Sequence, residues 1–184
     1  MTAGHTMWPE ARQCPSPNCD ERPADTDIDL LVIHNISLPP GEFGGPWIDD
    51  LFCNCLDPKA HPYFQEVHGF KVSAHLLIRR DGELIQYVPL EKRAWHAGQS
   101  EFDGRSACND FSIGIELEGA DDIPYSDAQY AALDQVTRQI MQAYPNITPE
   151  RITGHSDIAP GRKSDPGPAF DWNRFRALLA QASS

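Results

Sequence analysis

Short apolar runs and one alternating segment predict three strand-forming regions. Residues 28–33 (IDLLVI) are mostly branched and apolar, which is typical of a strand buried on both faces. His34 follows directly, so the sequence predicts a histidine at the end of a central strand. Residues 73–88 indicate a β-hairpin, because an Asp-Gly pair at 81–82 separates two strand-like segments. Residues 111–118 (FSIGIELE) alternate, so one face should pack while the other presents small residues and carboxylates to a cleft.

Helical spacing and capping residues predict three helices. Pro46 suits the first turn of a short helix that starts there. Ser126 and Gln129 form a capping box before a long amphipathic pattern, which Pro145 ends. A last helix is predicted to start near Asp171. Because strands and helices intermix, we expect an α/β fold in which helices flank a central sheet.

Length and charge narrow the classes of function. The 184 residues fit one domain (1–184), in which residues 1–27 form an irregular lead-in. The net charge of −12 predicts a surface that repels phosphate backbones and anionic lipids, so we expect neither nucleic acid nor a membrane as partner. The apolar runs are about four residues long, far below the ~20 that cross a bilayer. With Met1 as the natural start and no apolar leader after it, we expect a cytoplasmic protein. We also expect it to be a monomer.

The five cysteines are expected to be reduced thiols. Their number is odd, and none has the C-x-x-C spacing of a zinc ribbon. A disulfide or a soft-metal site remains the alternative, and Cys53-x-Cys55 is the spacing closest to either. A reducing cytosol argues against the disulfide.

Three residues are candidate ligands of one metal ion. His34 ends a predicted strand, His155 lies in the segment TGHSD, and Asp165 follows ten residues later. Two histidines and one carboxylate make an open zinc site, whose fourth position is left for a water with a pKa near ~7. Such a site suits amide hydrolysis, although each histidine taken singly is more often structural.

Two further residues could complete this chemistry. Lys163 lies two residues before Asp165, and Glu116 lies on the polar face of the segment 111–118. A lysine can stabilise the oxyanion that forms when water attacks a carbonyl, and a carboxylate can move the proton to the leaving amine. The alternatives are a solvated loop lysine and a carboxylate at a strand edge.

Several motifs together resemble the zinc-dependent N-acetylmuramoyl-L-alanine amidases, which share a fold with phage lysozyme-type amidases and peptidoglycan recognition proteins. The motifs are VIHNISLPPGEFGG (32–45), SAHLLIRRDGELIQYVP (73–89), RAWHAG (93–98), CNDFSIGIELEG (108–119) and TGHSDIAPGRKSDPGPAFDW (153–172). The resemblance implies a central mixed sheet and one Zn²⁺ held by His34, His155 and Asp165. It also implies Glu116 and Lys163 as the catalytic pair.

The resemblance is greatest to the cytosolic branch of the family, which recycles 1,6-anhydro-N-acetylmuramyl peptides. The implied reaction is hydrolysis of the amide between the lactyl group of N-acetylmuramic acid and L-alanine. The implied partner is therefore a muropeptide substrate.

The resemblance places the motif RAWHAG in a wall of the substrate groove. Trp95 would then stack on sugar or peptide and His96 would line the pocket, while core packing is the alternative for Trp95. Asn35 either donates to substrate or ends its strand.

The carboxylates of a stem peptide require local positive charge on an acidic protein. Lys71 and Arg105 are the candidates. Relatives favour arginine at the positions of Lys71 and Ala107, and a lysine lacks the bidentate geometry of a guanidinium. The sequence therefore predicts altered affinity for the peptide more than altered catalysis.

Two other functions are compatible with parts of this sequence. Glu116 and Glu118 could form the carboxylate pair of a glycosidase, but such pairs normally come from separate elements. A non-catalytic module that binds peptidoglycan fragments is the second alternative, although all three candidate ligands are present.

Overall fold

A computed structural model describes residues 7–181; residues 1–6 and 182–184, which belong to the predicted domain, lie outside the described part. The strands are β1 (Arg12–Gln13), β2 (Cys19–Asp20), β3 (Leu30–Ile36), β4 (Leu76–Ile78), β5 (Leu84–Gln86), β6 (Arg93–Ala94), β7 (Glu101–Phe102), β8 (Arg105–Ser106), β9 (Ser112–Glu118) and β10 (Ile152–Gly154). The α-helices are α1 (Trp47–Phe52), α2 (Phe64–Val67), α3 (Asp127–Ala143), α4 (His155–Ile158) and α5 (Trp172–Gln181). Two 3₁₀ turns cover Cys108–Asp110 and Pro149–Arg151.

The main sheet has six strands in the order β1-β5-β4-β9-β3-β10. β4, β9, β3 and β10 run parallel, β5 is antiparallel to β4, and β1 is parallel to β5. The remaining strands form two small antiparallel pairs, β2-β6 and β7-β8. The predicted α/β fold with a central mixed sheet flanked by helices is therefore confirmed.

The central strand is longer than its sequence pattern indicates. The sequence predicts His34 at the terminus of this strand. β3 extends to Ile36, however, so His34 lies two residues before the strand ends. β9 offers register partners along all of β3, from Leu30 beside Ser112 to Ile36 beside Glu118. The paired backbone keeps the chain extended past the apolar run.

The predicted hairpin and helices are confirmed. β4 and β5 have three residues each, and Gly82 supplies the positive φ of +90° that their turn requires. The capping box of α3 is complete, since the Ser126 hydroxyl accepts from the backbone of Gln129 and the Gln129 side chain accepts from the backbone of Ser126. The helices after Pro46 and Asp171 also form.

Alternating residues of the sheet face two different layers. Leu31, Ile33 and Ile115 pack on one face against the apolar sides of α3 and α5. On the other face Leu77 and Ile85 pack against α1 and α2. The alternate residues of β3, which are Leu30, Val32 and His34, face the side of the sheet opposite to Leu31 and Ile33. Leu30 and Val32 pack there in a small cluster with Phe111 and Ile158.

The lead-in is more regular than predicted, because it contributes β1 to the edge of the main sheet and β2 to a small sheet. Two-residue strands leave no periodic pattern, which is why the sequence does not reveal them. Arg22 fixes this segment to the domain by donating to five backbone carbonyls. They belong to Leu90, Glu91, Asn109, Asp110 and Ser112, at 2.8 to 3.1 Å.

The five cysteines are free thiols in the structure. Cys14 lies closest to Cys53, with 3.5 Å between the sulfur atoms, whereas the sequence spacing favoured Cys53 with Cys55. Within residues 7–181, no helix combines the length and the apolar character that crossing a membrane requires.

Candidate metal centre and catalytic cleft

Three side chains, one from a strand, one from the helix that follows the neighbouring strand and one from a loop, converge at one end of the sheet. His34 lies near the end of β3, and His155 begins α4 directly after β10, the parallel neighbour of β3. Asp165 reaches them because its carbonyl accepts a hydrogen bond from the backbone of Ser156 at 3.0 Å. The two Nδ1 atoms are 3.0 Å apart, and each is 3.2 Å from Asp165 Oδ2.

These residues fit a divalent metal ion with nitrogen and oxygen ligands. A tetrahedral site with bonds of about 2.0 Å has ligand-to-ligand distances of about 3.3 Å, close to the separations found here. Within residues 7–181 this is the one group of three or more potential ligands that comes together in this way. Both histidines are buried, and the Asp165 side chain is 14% exposed, so one side of the group faces the cleft.

The charge state of the group also suits a cation. Burial alone would raise the pKa of Asp165, but its hydrogen bonds to His155 and His34 hold that pKa well below its usual range. Burial lowers the pKa of His34. The centre therefore presents a carboxylate and a neutral imidazole, which are the forms that coordinate metals.

Glu116 lies beside these ligands. It is the register partner of His34 across the β3-β9 pair, so both side chains leave the same face of the sheet. The Glu116 side chain is buried, and its Oε2 atom has no hydrogen-bond partner. Burial, reinforced by the negative charge of Asp165, raises the pKa of Glu116 well above its usual range, and Lys163 opposes this shift. An unpartnered buried carboxyl of this kind can hold a proton and pass it on.

Lys163 is exposed at the rim of the same cleft. The loop that carries it is anchored because its backbone donates to the carbonyl of Ala159 at 3.0 Å. Its ammonium group is the positive charge that acts on Glu116 from the solvent side.

The cleft has a volume of about 590 Å³, within the ordinary range for small-molecule sites. Its lining includes the three candidate ligands, Glu116 and Lys163. Other lining residues are apolar or aromatic and come from the loop after β3, from α1 and from the segment around α2. They include Leu38, Leu51, Phe52, Tyr63, Val67 and Phe70.

Three of the predicted substrate-binding residues line this cleft: Asn35, Trp95 and His96. The Asn35 amide donates to Asp121 Oδ1 at 2.8 Å and to the Pro166 carbonyl at 3.1 Å, so its side chain also holds the loop after Asp165. Trp95 is half-buried. His96 lies deeper, in contact with His34.

The structure does not bring the two predicted basic residues into the cleft. Lys71 is exposed between Phe70 and Val72, both of which line the cleft while Lys71 does not. Arg105 forms an ion pair with Asp29 at 2.6 Å and covers the ring of Phe111.

Sequence reasoning missed the aromatic wall. Tyr63 and Phe70 lie in a segment without periodicity, and neither was singled out. Phe70 is 55% exposed, and a large apolar side chain that is exposed beside a cleft indicates a binding surface. This exposure can be seen in the structure but not in the sequence.

Comparisons with known proteins give the same picture. The family model for N-acetylmuramoyl-L-alanine amidase matches residues 24–168. The 1,6-anhydro-N-acetylmuramyl-L-alanine amidase AmpD of Salmonella typhimurium (strain SL1344) is 64% identical over 174 residues, or 95% of this chain and 92% of that protein. The crystal structure of a selenomethionine AmpD derivative superposes with a TM-score of 0.94 at 60% identity, covering 97% of this chain and 99% of that one.

A more distant solved structure carries a ligand. It is the complex of the N-acetylmuramyl-L-alanine amidase AmiD from E. coli with the substrate anhydro-N-acetylmuramic acid-L-Ala-D-gamma-Glu-L-Lys. It superposes with a TM-score of 0.60 at 30% identity, covering 86% of this chain and 60% of that one. The resemblance found in the sequence motifs is thus confirmed, and the chain belongs to the N-acetylmuramoyl-L-alanine amidase family.

Proposed function

We propose that this protein is a zinc-dependent amidase of cytoplasmic peptidoglycan recycling. It hydrolyses the amide between the lactyl group of 1,6-anhydro-N-acetylmuramic acid and the L-alanine of the stem peptide. The observation that carries the proposal is the convergence of His34, His155 and Asp165 beside the unpartnered carboxyl of Glu116. The names of the relatives supply the substrate, because AmpD at 64% identity is a 1,6-anhydro-N-acetylmuramyl-L-alanine amidase.

His34, His155 and Asp165 would hold the zinc ion through two Nδ1 atoms and one carboxylate oxygen. When bound, the ion would supply Lewis acidity, which makes water a nucleophile at neutral pH and polarises a carbonyl group. Both effects accelerate hydrolysis at pH 7, where an amide reacts very slowly with neutral water.

Glu116 moves the proton. Its Oε2 atom is free to accept a proton from the attacking water as the oxygen–carbon bond forms. It then gives this proton to the amide nitrogen as the carbon–nitrogen bond breaks, so the stem peptide leaves with a neutral amine on its L-alanine. Burial favours the protonated carboxyl between these two transfers.

Lys163 stabilises the charge that develops on the carbonyl oxygen. Lys163 lines the same cleft as Glu116 and the candidate ligands, where its positive charge can stabilise an oxyanion.

The cleft walls bind the substrate around the scissile bond. Trp95 offers an aromatic face for a sugar or a peptide, and Asn35, next to His34 in the chain, lines the same cleft. Lys71 and Arg105 are not among the residues that line the cleft, so neither is given a role at the scissile bond. The acidic surface argues against nucleic acid and membranes as partners, and a monomer suffices since one chain supplies every residue named.

A glycosidase is disfavoured by the contacts of Glu118. Its carboxylate pairs with Arg79 at 2.8 Å and accepts from the backbones of Gly44 and Arg80. Glu118 is therefore occupied and cannot act as the second carboxylate beside Glu116.

The decisive experiment is mass-spectrometric product analysis with 1,6-anhydro-N-acetylmuramyl-tripeptide before chelation, after chelation and after zinc is restored. We expect release of the free tripeptide that is lost with the chelator and returns with zinc. Release that ignores the chelator would contradict the metal chemistry, cleaved sugar would support a glycosidase, and binding without release would support the recognition module. His34→Ala should lose zinc and activity together, whereas the surface variant Glu150→Gln should retain both.

A further inference from the structure

Each of the two candidate histidine ligands has a partner on its outer ring nitrogen, and the two partners are consecutive residues. His34 Nε2 lies 2.8 Å from Nδ1 of His96. His155 Nε2 lies 3.0 Å from the carbonyl oxygen of Ala97. Both rings thereby direct Nδ1 towards the centre of the site. One dipeptide, 96–97, contacts the far side of both ligands.

The partners determine which nitrogen of each ring carries the proton. A carbonyl oxygen can only accept, so His155 is protonated at Nε2 and has a lone pair at Nδ1, which a metal requires. When His34 coordinates through Nδ1 it must donate from Nε2, and His96 must then accept at its Nδ1. The remaining proton of His96 is on Nε2, which lies 3.0 Å from the hydroxyl of Ser112.

β9 is shaped to seat the ring of His96. A Cβ atom on Gly114 would lie 2.6 Å from Cγ and Nδ1 of His96, so no larger residue fits there without moving the ring. The rings of His96 and His34 meet edge to face, with centroids 4.9 Å apart. The small residues at alternate positions of β9 therefore hold an imidazole, which the sequence pattern did not reveal.

The backbone of the dipeptide is fixed as firmly as the ring. The side-chain oxygen of Asn109 accepts from the backbones of His96 at 3.1 Å and of Ala97 at 2.8 Å. Arg162 donates to the same Ala97 carbonyl at 2.6 Å. Neither partner of the ligands can shift without breaking these bonds.

We propose that His96 and Ala97 are positioning residues of the metal centre, which orient His34 and His155 as Nδ1 ligands. This inference rests on the proposed zinc site, and it gives His96 a different role from the contact with substrate that the sequence suggested. Hydrogen bonds to the outer nitrogen of a ligating histidine typically account for 10- to 100-fold in metal affinity.

The test measures zinc affinity of the metal-free protein by competition with a chromophoric chelator. His96→Phe keeps a ring in the seat but cannot accept from His34, and we expect its zinc affinity to fall about 10- to 100-fold. His96→Asn places an amide oxygen near the position of Nδ1, and we expect part of the affinity to return. Leu133→Ala, on α3 at the other face of the sheet, controls for loss of stability alone and should bind zinc as the unsubstituted protein does.

The second readout is ¹⁵N NMR of the zinc-loaded protein, in which His34 and His155 should both carry a proton on Nε2. Equal zinc affinity in His96→Phe, or coordination of His34 through Nε2, would overturn the inference. Failure of the unsubstituted protein to bind zinc, or unchanged binding in His34→Ala, would instead overturn the proposed function, so the two failures are distinguishable.

Discussion

His75 makes folding stability depend on pH. It is fully buried behind the cleft, where its Nδ1 accepts from the backbone of Gly114 at 3.0 Å and its Nε2 lies 2.9 Å from the carbonyl of Lys92. The guanidinium of Arg22 is 3.2 Å from Nε2. Burial, followed by the charge of Arg22, lowers the pKa of His75 to about 3.

The sign follows from comparing the folded and unfolded chains. An unfolded histidine has a pKa near ~6.5, so between that value and about 3 the unfolded chain binds a proton that the folded chain does not. The contribution of His75 to the free energy of unfolding is therefore fully present above pH ~6.5 and is lost as the pH falls from there towards about 3. From about pH 7.5 to about pH 5.5 the loss due to His75 is about 1.4 kcal/mol.

The assay is urea unfolding of the metal-free protein and of His75→Gln at both pH values. Glutamine retains an amide near the Lys92 carbonyl, and all other titrating groups are shared, so the difference between the two pH-dependent losses isolates His75. We expect the unsubstituted protein to lose about 1.4 kcal/mol more than the variant. A difference below about 0.5 kcal/mol would refute the reasoning, and His68→Gln, at an exposed position, serves as the control.

Three further predictions follow from single contacts. Glu116→Gln should lower turnover at least ~100-fold while zinc stays bound, because the proton carrier is lost; near-normal kcat in a steady-state assay would reject this role. Arg22→Met should destabilise the fold by more than about 4 kcal/mol, since several buried carbonyls lose their donor, as measured by urea unfolding; a loss under 1 kcal/mol would contradict it. Ser126→Ala should reduce stability by about 1 kcal/mol through loss of the cap of α3, and an unchanged melting temperature would count against that contact.

The candidate ligands could be predicted because each stands at a recognisable point of the sequence. The apolar run before His34 indicates a central strand, and the segment around His155 precedes the Asp165 loop by a short fixed distance. Strand neighbours could not be predicted in this way. The extension of β3 past His34 depends on register with β9, which lies far along the chain.

Contacts between distant segments account for the remaining differences. Arg105 meets Asp29, 76 residues away, and nothing in the local sequence indicates that its charge is already paired. His96 lies 62 residues from His34, so its role also depends on tertiary structure. A sequence pattern identifies residues able to do chemistry, but it does not identify their partners.

The attachment of the lead-in has a consequence for where this protein can be divided. The part that matches the family begins at residue 24, two residues after Arg22. A chain trimmed to that shared part would keep the three candidate ligands and Glu116. It would lose β1, which covers the backbone edge of β5, and Arg22, which donates to five backbone carbonyls between residues 90 and 112. An uncovered strand edge is a template for pairing with another chain. The segment that contains the candidate catalytic residues is thus shorter than the segment that we expect to stay folded and not associate with other chains.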